Sequence, residues 1–304
     1  MAYRVLFEHS PAYELLLSFM IFSRRKWTRN LDIGTAWLKD ADDAFGSRRK
    51  LDGASFNEET FDRLFLLAHV SPPSAKASAD AFLDWLIDLS PGQLYELLSP
   101  QTLGSLPSDL GQDTERLVSF LRSWNQAYFA KLDPSWEAAA RADLETRLAE
   151  ASTDPITRVE LATGGLVFEP NARMEQVVLV PALHFRPLNL YSIYRNLAII
   201  LYPIDPPADP DAPPTMLLRA TRALSDESRL RILRYLAQSP RSFTEVVAQT
   251  GLSKGTVHHH LMALRAAGLI RTHLTGGQYN QERFSIRLDG VEECTELIRG
   301  FMKQ

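Results

Sequence analysis

Four polar residues, Lys254, Thr256, His258 and His259, follow a short glycine-containing turn late in the sequence. Each can donate a hydrogen bond to a phosphate oxygen or a base edge, and none carries a negative charge. Ser253 stands immediately before them, where a serine caps a helix and the first backbone amides favour a phosphate. These residue types in this order predict contact with DNA.

Two nearby features suggest other chemistry, and we interpret both as structural. His258, His259 and His260 are consecutive, and successive helical residues point about 100° apart, so the three cannot chelate one ion. Cys294, the only cysteine, falls on an apolar helical stripe without a basic activating neighbour, which favours an inert core residue. We therefore expect no metal and no cofactor. The common hydrolase, metalloprotease and phosphate-loop motifs are absent from the sequence, so we expect no enzymatic activity.

Apolar periodicity assigns the four polar residues to the second helix of a helix-turn-helix, spanning 254–267. Its inner face is predicted to consist of Val257, Leu261 and Leu264. An earlier helix, ending near Gln238, has a comparable stripe predicted to consist of Leu230, Leu233 and Leu236. Gly251 ends the short helix between them, and two helices joined by such a turn can place the second in the major groove.

A β-hairpin is predicted after this helix, because Ile270–Leu274 and Gln281–Leu288 are strand-like runs separated by a glycine-containing turn. We interpret this hairpin as a wing beside the DNA. Further DNA-binding residues are predicted on the wing and near it: Arg265, Arg271, Gln278, Asn280 and Arg283. A final amphipathic helix is predicted over Val291–Met302.

The distribution of charge supports a polyanionic partner for this region. The chain holds 33 Lys and Arg against 37 Asp and Glu, but residues 214–304 hold 13 against 8. The preceding part is therefore acidic and the C-terminal part basic, which favours a nucleic acid as the partner of the latter.

A proline-rich stretch, Pro203–Pro214, predicts a linker, because proline removes a backbone donor and fixes φ. We expect an N-terminal domain over 1–203, the linker over 204–214 and a DNA-binding domain over 215–304. Apolar stripes predict helices throughout 57–150, and also over 11–23 and 31–44. Short apolar runs predict strands at Arg158–Ala162, Leu166–Glu169, Gln176–Val180 and Leu197–Tyr202, the first two joined by a hairpin at Gly164 and Gly165.

The fold class is thus mainly α (α+β). It combines an N-terminal helical domain that carries a small antiparallel sheet with a C-terminal winged helix-turn-helix. Two features of the N-terminal domain leave alternatives open. Its five tryptophans can line a small-molecule pocket or form plain core. His184 and Arg186 can meet an anionic ligand or belong to a structured loop, and the loop is the simpler interpretation.

Three runs of the sequence resemble parts of ArsR-type repressors. The opening helix is resembled by Ala223–Leu233, the recognition helix by Gly251–Leu261, and the exit into the wing by Leu264–Ile270. The resemblance implies a winged helix, binding to operator DNA as a homodimer, and repression relieved by a signal. Metal-sensing members carry cysteine in the helix before the recognition helix, but Phe243–Gln249 has neither cysteine nor histidine. The acidic residues of the last helix, Asp289, Glu292, Glu293 and Glu296, lack the histidine of a second family site. We therefore expect no metal sensing.

The sequence as a whole predicts a sequence-specific, DNA-binding transcriptional regulator that acts as a homodimeric repressor. Its partners would be double-stranded operator DNA, a second copy of the chain and a small-molecule effector. The N-terminal domain would serve either to sense that effector or to form the dimer. No apolar run is long enough to span a membrane, and a single cysteine fits a cytoplasmic location. The alternative is an enzyme or ligand-binding module fused to a DNA-binding domain.

Overall fold

The computed structural model describes residues 3–45, 57–150, 154–171, 173–205, 211–275 and 281–303. The chain divides into two compact units. The N-terminal unit consists of Leu6–Ala149 and Met174–Pro206, and the C-terminal unit consists of Met1–Val5, Glu150–Arg173 and Pro207–Gln304. The last break falls inside the predicted linker. Residues 150–173, however, which we expected in the N-terminal domain, belong to the C-terminal unit.

The N-terminal unit is mainly helical, as its apolar stripes predict. Its helices are α1 (Pro11–Ser23), α2 (Gly34–Phe45), α3 (Glu58–Val70), α4 (Pro73–Lys76), α5 (Ala79–Ile87), α6 (Pro91–Leu98), α7 (Leu110–Ala127) and α8 (Ser135–Ala149). Helix α1 is buried on all sides from Pro11 to Phe22 and forms the centre of the unit. No helix among the described residues is both long and apolar enough to cross a bilayer.

Four strands form a mixed sheet in the order β1-β3-β5-β4. They are β1 (Arg4–Phe7), β3 (Gln176–Ala182), β4 (Leu190–Ile193) and β5 (Leu197–Pro203). Strand β4 returns antiparallel to β5, but β3 and β5 run parallel, with Val178 opposite Ile199. The small sheet was predicted to be antiparallel, but its β3–β5 pair is parallel, because β5 inserts between two strands that precede it in the chain.

The C-terminal unit contains the winged helix-turn-helix. Its elements are α9 (Pro155–Thr163), β2 (Leu166–Phe168), α10 (Thr215–Leu224), α11 (Glu227–Leu236), β6 (Arg241–Ser242), α12 (Phe243–Thr250), α13 (Lys254–Ala266), β7 (Ile270–Thr275), β8 (Gln281–Ile286) and α14 (Leu288–Phe301). Strands β7 and β8 pair antiparallel, with Thr272 opposite Phe284. The predicted wing strands are therefore confirmed.

The strand predicted at Arg158–Ala162 is wrong, because these residues lie in α9. The Asp154 side chain accepts a hydrogen bond from the Thr157 amide at the start of this helix, and Pro155 occupies its first turn. Gly164 ends the helix in the left-handed region, with φ of 66°. The Asp154 cap and Pro155 mark the start of a helix, and Gly164 marks its end. These signals outweigh the alternation of apolar and polar residues at Arg158–Ala162 that suggested a strand.

The core of the winged helix forms where α11, α12 and α13 meet. As predicted, Val257, Leu261 and Leu264 are buried, and so are Leu233 and Leu236. Leu230 was predicted to be buried, but it is 48% exposed and Ile232 takes its place. At 3.6 residues per turn Leu230 lies roughly 110° from the centre of this stripe, so α11 turns it towards solvent.

Candidate DNA-contacting surface

Helix α13 begins at Ser253, as the sequence predicts. The Ser253 Oγ accepts a hydrogen bond from the Thr256 amide at 3.1 Å and lies 2.8 Å from the Thr256 hydroxyl. The preceding helix ends at Gly251, whose φ of 68° is one that glycine adopts without strain. The remaining amides of the first turn of α13 stay available, at the positive end of the helix dipole.

The outer face of α13 carries the four predicted polar residues. Lys254, Thr256, His258 and His259 are all exposed, whereas the apolar stripe on the opposite side is buried. Neither Lys254 nor His258 forms an ion pair with any residue that the structure describes, so both are available to an external partner. The four residues are therefore exposed, as the sequence predicts, and their contact with DNA stays a prediction.

His260 points inward instead. It is 8% exposed, and its Nδ1 lies 3.9 Å from the Asp226 carboxylate. Burial lowers the pKa of His260, despite the opposing effect of that carboxylate. The three consecutive histidines therefore do not converge on one point. Within the described ranges, no group of three or more His, Cys, Asp or Glu residues is placed to hold a metal ion.

The predicted residues near the wing differ in their surroundings. Arg283 is 44% exposed, donates to the Pro240 carbonyl at 2.8 Å and lies 3.4 Å from the carboxylate of Glu245, which is itself 39% exposed. Arg265 is only 16% exposed, with its guanidinium 3.8 Å from Glu282. The predictions for Gln278 and Asn280 lie outside the described residues.

Arg271 is held by two carboxylates within the C-terminal unit. Its Nε donates to Glu160 of α9 at 2.5 Å, and its Nη2 donates to Asp289 of α14 at 2.7 Å. Its Nη1 also donates to the Ile286 carbonyl at 3.3 Å. The side chain thus ties two helices to strand β7, a structural role that the sequence did not reveal.

A second arginine completes this ion-pair network. Arg287 is 2% exposed, and it donates to both carboxylate oxygens of Glu293, at 2.8 and 2.5 Å, and to the Gly268 carbonyl. Burial works against its charge, but the hydrogen bonds that it donates to Glu293, together with the nearby Glu160 carboxylate, raise the pKa of Arg287. Ion pairs therefore join helices α9 and α14 to the wing strands.

Strand β2 lies within the strand predicted at Leu166–Glu169, but it joins the wing sheet, whose order is β2-β7-β8-β6, and this position was not predicted. It runs parallel to β7, with Leu166 opposite Thr272. Gly165 precedes it with φ of 125°, and a Cβ there would lie 2.7 Å from the Ile270 carbonyl oxygen. The two glycines that suggested a hairpin instead end α9 and allow a close approach to β7.

Cys294 is buried beside Leu217 and Ala220, with Leu297 and Phe301 packed against the same cluster. This is the apolar environment expected from its position on the helical stripe. On the same helix, other apolar side chains are exposed: Leu288 at 59%, Val291 at 39% and Ile298 at 38%.

In the N-terminal unit, His184 lies in a chain of hydrogen bonds. Its Nδ1 pairs with the Glu14 carboxylate, and its Nε2 lies 2.6 Å from the Tyr128 hydroxyl. That hydroxyl accepts from Trp37 Nε1 at 2.8 Å. Burial raises the pKa of Tyr128 to about 12, so the phenol stays protonated at neutral pH. His184 is 2% exposed, which supports the structured-loop interpretation of its segment.

Trp124 is fully buried and donates from Nε1 to the Ser18 hydroxyl at 3.0 Å. Its ring stacks on Phe22 with centroids 4.5 Å apart. The hydrogen bond and the ring contact of Trp124 support a core role for this tryptophan.

The other candidate for an anionic ligand, Arg186, already has an acidic partner within the protein. Its guanidinium donates to Asp205 at 3.1 Å.

Comparison with known proteins gives one family-model match and several similar solved structures. The family model "Bacterial regulatory protein, arsR family" matches residues 226–272. An ArsR-like transcriptional regulator from Rhodococcus sp. RHA1 is similar, with 24% identity over 29% of this chain and 80% of its own, at a TM-score of 0.26. A homodimeric winged helix-turn-helix DNA-binding domain from Mycobacterium bovis, described as a possible ArsR-family transcriptional regulator, has 26% identity over 29% of this chain and 79% of its own, at a TM-score of 0.24. No curated protein matches the chain.

Proposed function

We propose that this protein, whose residues 226–272 form an ArsR-type DNA-binding helix-turn-helix, is a transcriptional repressor that binds its operator as a homodimer. One observation carries the proposal: α13 presents an exposed, acid-free polar face while its apolar stripe is buried against α11 and α12. A helix with these two faces can enter the major groove without disturbing the domain that holds it. Repression, rather than activation, rests on the resemblance to ArsR-type repressors.

In this proposal the first two turns of α13 provide the base contacts. Lys254 and His259 donate to base edges or phosphates, and the free amides after Ser253 bind a phosphate. Arg283 and the wing bind the flanking backbone. Arg271 is left out of the proposed contacts, because its guanidinium is already bound by two carboxylates.

The test compares operator affinities of single variants. Genomic footprinting with the full chain identifies the operator, and fluorescence anisotropy then measures its affinity for each protein. Lys254→Ala and His259→Ala should each weaken binding by about 1–3 kcal/mol, with the melting temperature unchanged because both side chains are exposed. Lys39→Ala, which removes an exposed lysine of the N-terminal unit, is the matched control. If both α13 variants bound like the control, the assignment of this face to DNA would be wrong.

Dimerisation is supported by the exposed apolar side chains of α10 and α14. Leu218 is 39% exposed and Ile298 is 38% exposed, and Met302, directly after α14, is 77% exposed. A pair of these surfaces would bury them and place two copies of α13 on half-sites roughly 34–36 Å apart. We expect sedimentation equilibrium to give a dimer for wild type and a monomer for Ile298→Asp. Leu103→Asp, at a 55% exposed leucine of the N-terminal unit, should remain dimeric, and a monomeric wild type would refute the proposal.

We further propose that the N-terminal unit senses a small molecule, without catalysing a reaction, in the cytoplasm where operator DNA is available. The support is its size and its own buried core, which DNA binding by the C-terminal unit does not require. A thermal-shift screen of the full chain against metabolites tests this role, and each hit should change operator affinity. If no compound stabilised the protein, the unit would instead be a scaffold or a dimerisation domain.

A further inference from the structure

A groove of about 540 Å³ lies between the outer face of α11 and the turn that leads into α13. From α11 it is lined by Ser228, Arg231, Arg234 and Tyr235, which recur at helical spacing along one stripe. From the opposite side it is lined by Thr250, at the end of α12, and by Leu252 of the turn. The groove is therefore a continuous feature of the helix-turn-helix surface.

The lining of the groove is polar and positively charged. Arg234 is exposed and forms no ion pair with any residue in the described part of the chain. Arg231 pairs with Glu227 at 2.5 Å, but the two side chains are 77% and 79% exposed, so water and salt weaken the pair. No carboxylate lines the groove. The Arg241 guanidinium lies 4.6 Å from the centre of the Tyr235 ring, but it also lies 3.7 Å from the Glu245 carboxylate, which compensates part of its charge.

The groove is continuous with the face of α13 that we assign to DNA. Leu252 lines the groove, the next residue is the cap Ser253, and the one after that is the exposed Lys254. A duplex whose major groove holds the start of α13 carries a phosphate strand along each edge of that groove. Positive side chains beside the start of the helix are therefore placed next to a line of negative charge.

We infer that this groove binds the phosphodiester backbone of the same duplex, beyond the base pairs contacted by α13, through Arg231 and Arg234. The inference rests on the proposed DNA-binding function and extends the contact surface from α13 to α11. Backbone contacts of this kind add affinity without sequence specificity, and each releases counterions. The groove thus lengthens the DNA segment that each copy of the protein occupies.

The experiment uses the full chain and one duplex, selected by the wild-type protein from a random library and then shortened base pair by base pair from both ends. Affinity is measured by anisotropy as a function of salt. The double variant Arg231→Gln/Arg234→Gln should bind the long duplex with a salt slope lower by about 1.8, the value for two lost phosphate contacts. On the shortest duplex that retains the bases contacted by α13, the double variant and wild type should bind equally.

Two reference variants make the outcomes distinct. Arg141→Gln removes an exposed arginine of the N-terminal unit that is paired i,i+4 with Glu137, like Arg231 with Glu227, and it should leave the slope unchanged. Lys254→Gln should weaken binding to duplexes of every length.

If the double variant matched wild type on the long duplex while Lys254→Gln lost binding, the groove inference would be overturned and the DNA-binding function would stand. If the double variant bound DNA normally but sedimented as a different oligomer, the groove would be a contact between copies of the chain, which also overturns the inference. Failure of the wild-type protein to select any duplex would refute the proposed function and the inference with it.

Discussion

Replacing Gly165 with alanine should destabilise the C-terminal unit. The backbone there has φ of 125°, and an added Cβ would lie 2.7 Å from the Ile270 carbonyl oxygen and 3.4 Å from Arg287 Cδ. An unfavourable φ costs about 1–3 kcal/mol. Relief of the contact must move β2 away from β7 and weaken the hydrogen bond from the Thr272 amide to the Gly165 carbonyl, now 2.8 Å, worth about 1 kcal/mol.

The two contributions give a loss of roughly 2–4 kcal/mol, which lowers the melting temperature of a unit of this size by roughly 5–15 °C. Calorimetry of the full chain measures the shift, and far-UV circular dichroism confirms that the variant folds at low temperature. Gly92→Ala is the control, because a Cβ at Gly92 meets no atom within 4 Å and its helical position favours alanine. Equal melting temperatures for the two variants would refute the close approach of β2 to β7.

Three further predictions concern charged and hydrogen-bonded groups. Glu160→Gln should cost about 1–2 kcal/mol of unfolding free energy in urea denaturation, because it weakens a partly buried ion pair with Arg271 of β7. The control Glu137→Gln, at an exposed ion pair, should cost under about 0.5 kcal/mol. Equal costs for the two variants would contradict the ion-pair network. Burial lowers the pKa of His273, so the unfolded chain binds a proton at a higher pH than the folded chain does. Stability should therefore fall as the pH decreases below about 6.5. His273→Gln should reduce this pH dependence in thermal melts at pH 5.5 and 7.5, and an unchanged dependence would contradict the contribution of His273. Tyr128→Phe should cost about 1–3 kcal/mol in denaturant titrations, because the buried His184 Nε2 loses its hydrogen-bond partner, and a neutral effect would contradict the hydrogen-bond chain.

The sequence predicts helix α13 well, because local signals there agree with one another. Ser253 caps α13, Gly251 ends α12, and the apolar stripe of α13 falls on one face. Each signal acts within a few residues, so no knowledge of the distant chain is needed. The exposed polar face follows directly from the same periodicity, and the match to the arsR family model over 226–272 confirms the type of motif.

The errors arise where tertiary contacts decide. Leu230 fits a helical stripe as well as Ile232 does, and only the packing against α13 selects the latter. The parallel pair β3–β5 and the pairing of β2 with β7 join segments that are distant in sequence, and periodicity contains no information about strand partners. The ionic role of Arg271 was hidden for the same reason, because its partner Glu160 lies on another segment.

The pairing of Leu166 with Thr272 makes the winged helix discontinuous in the chain. During synthesis at about 5–20 residues per second, β2 leaves the ribosome before β7 exists, so this module cannot close its sheet until β7 and β8 have emerged. A fragment that started at the proline-rich linker would expose the edge of β7, and such open edges promote aggregation between chains. Expression of the DNA-binding part alone should therefore include residues 150–173.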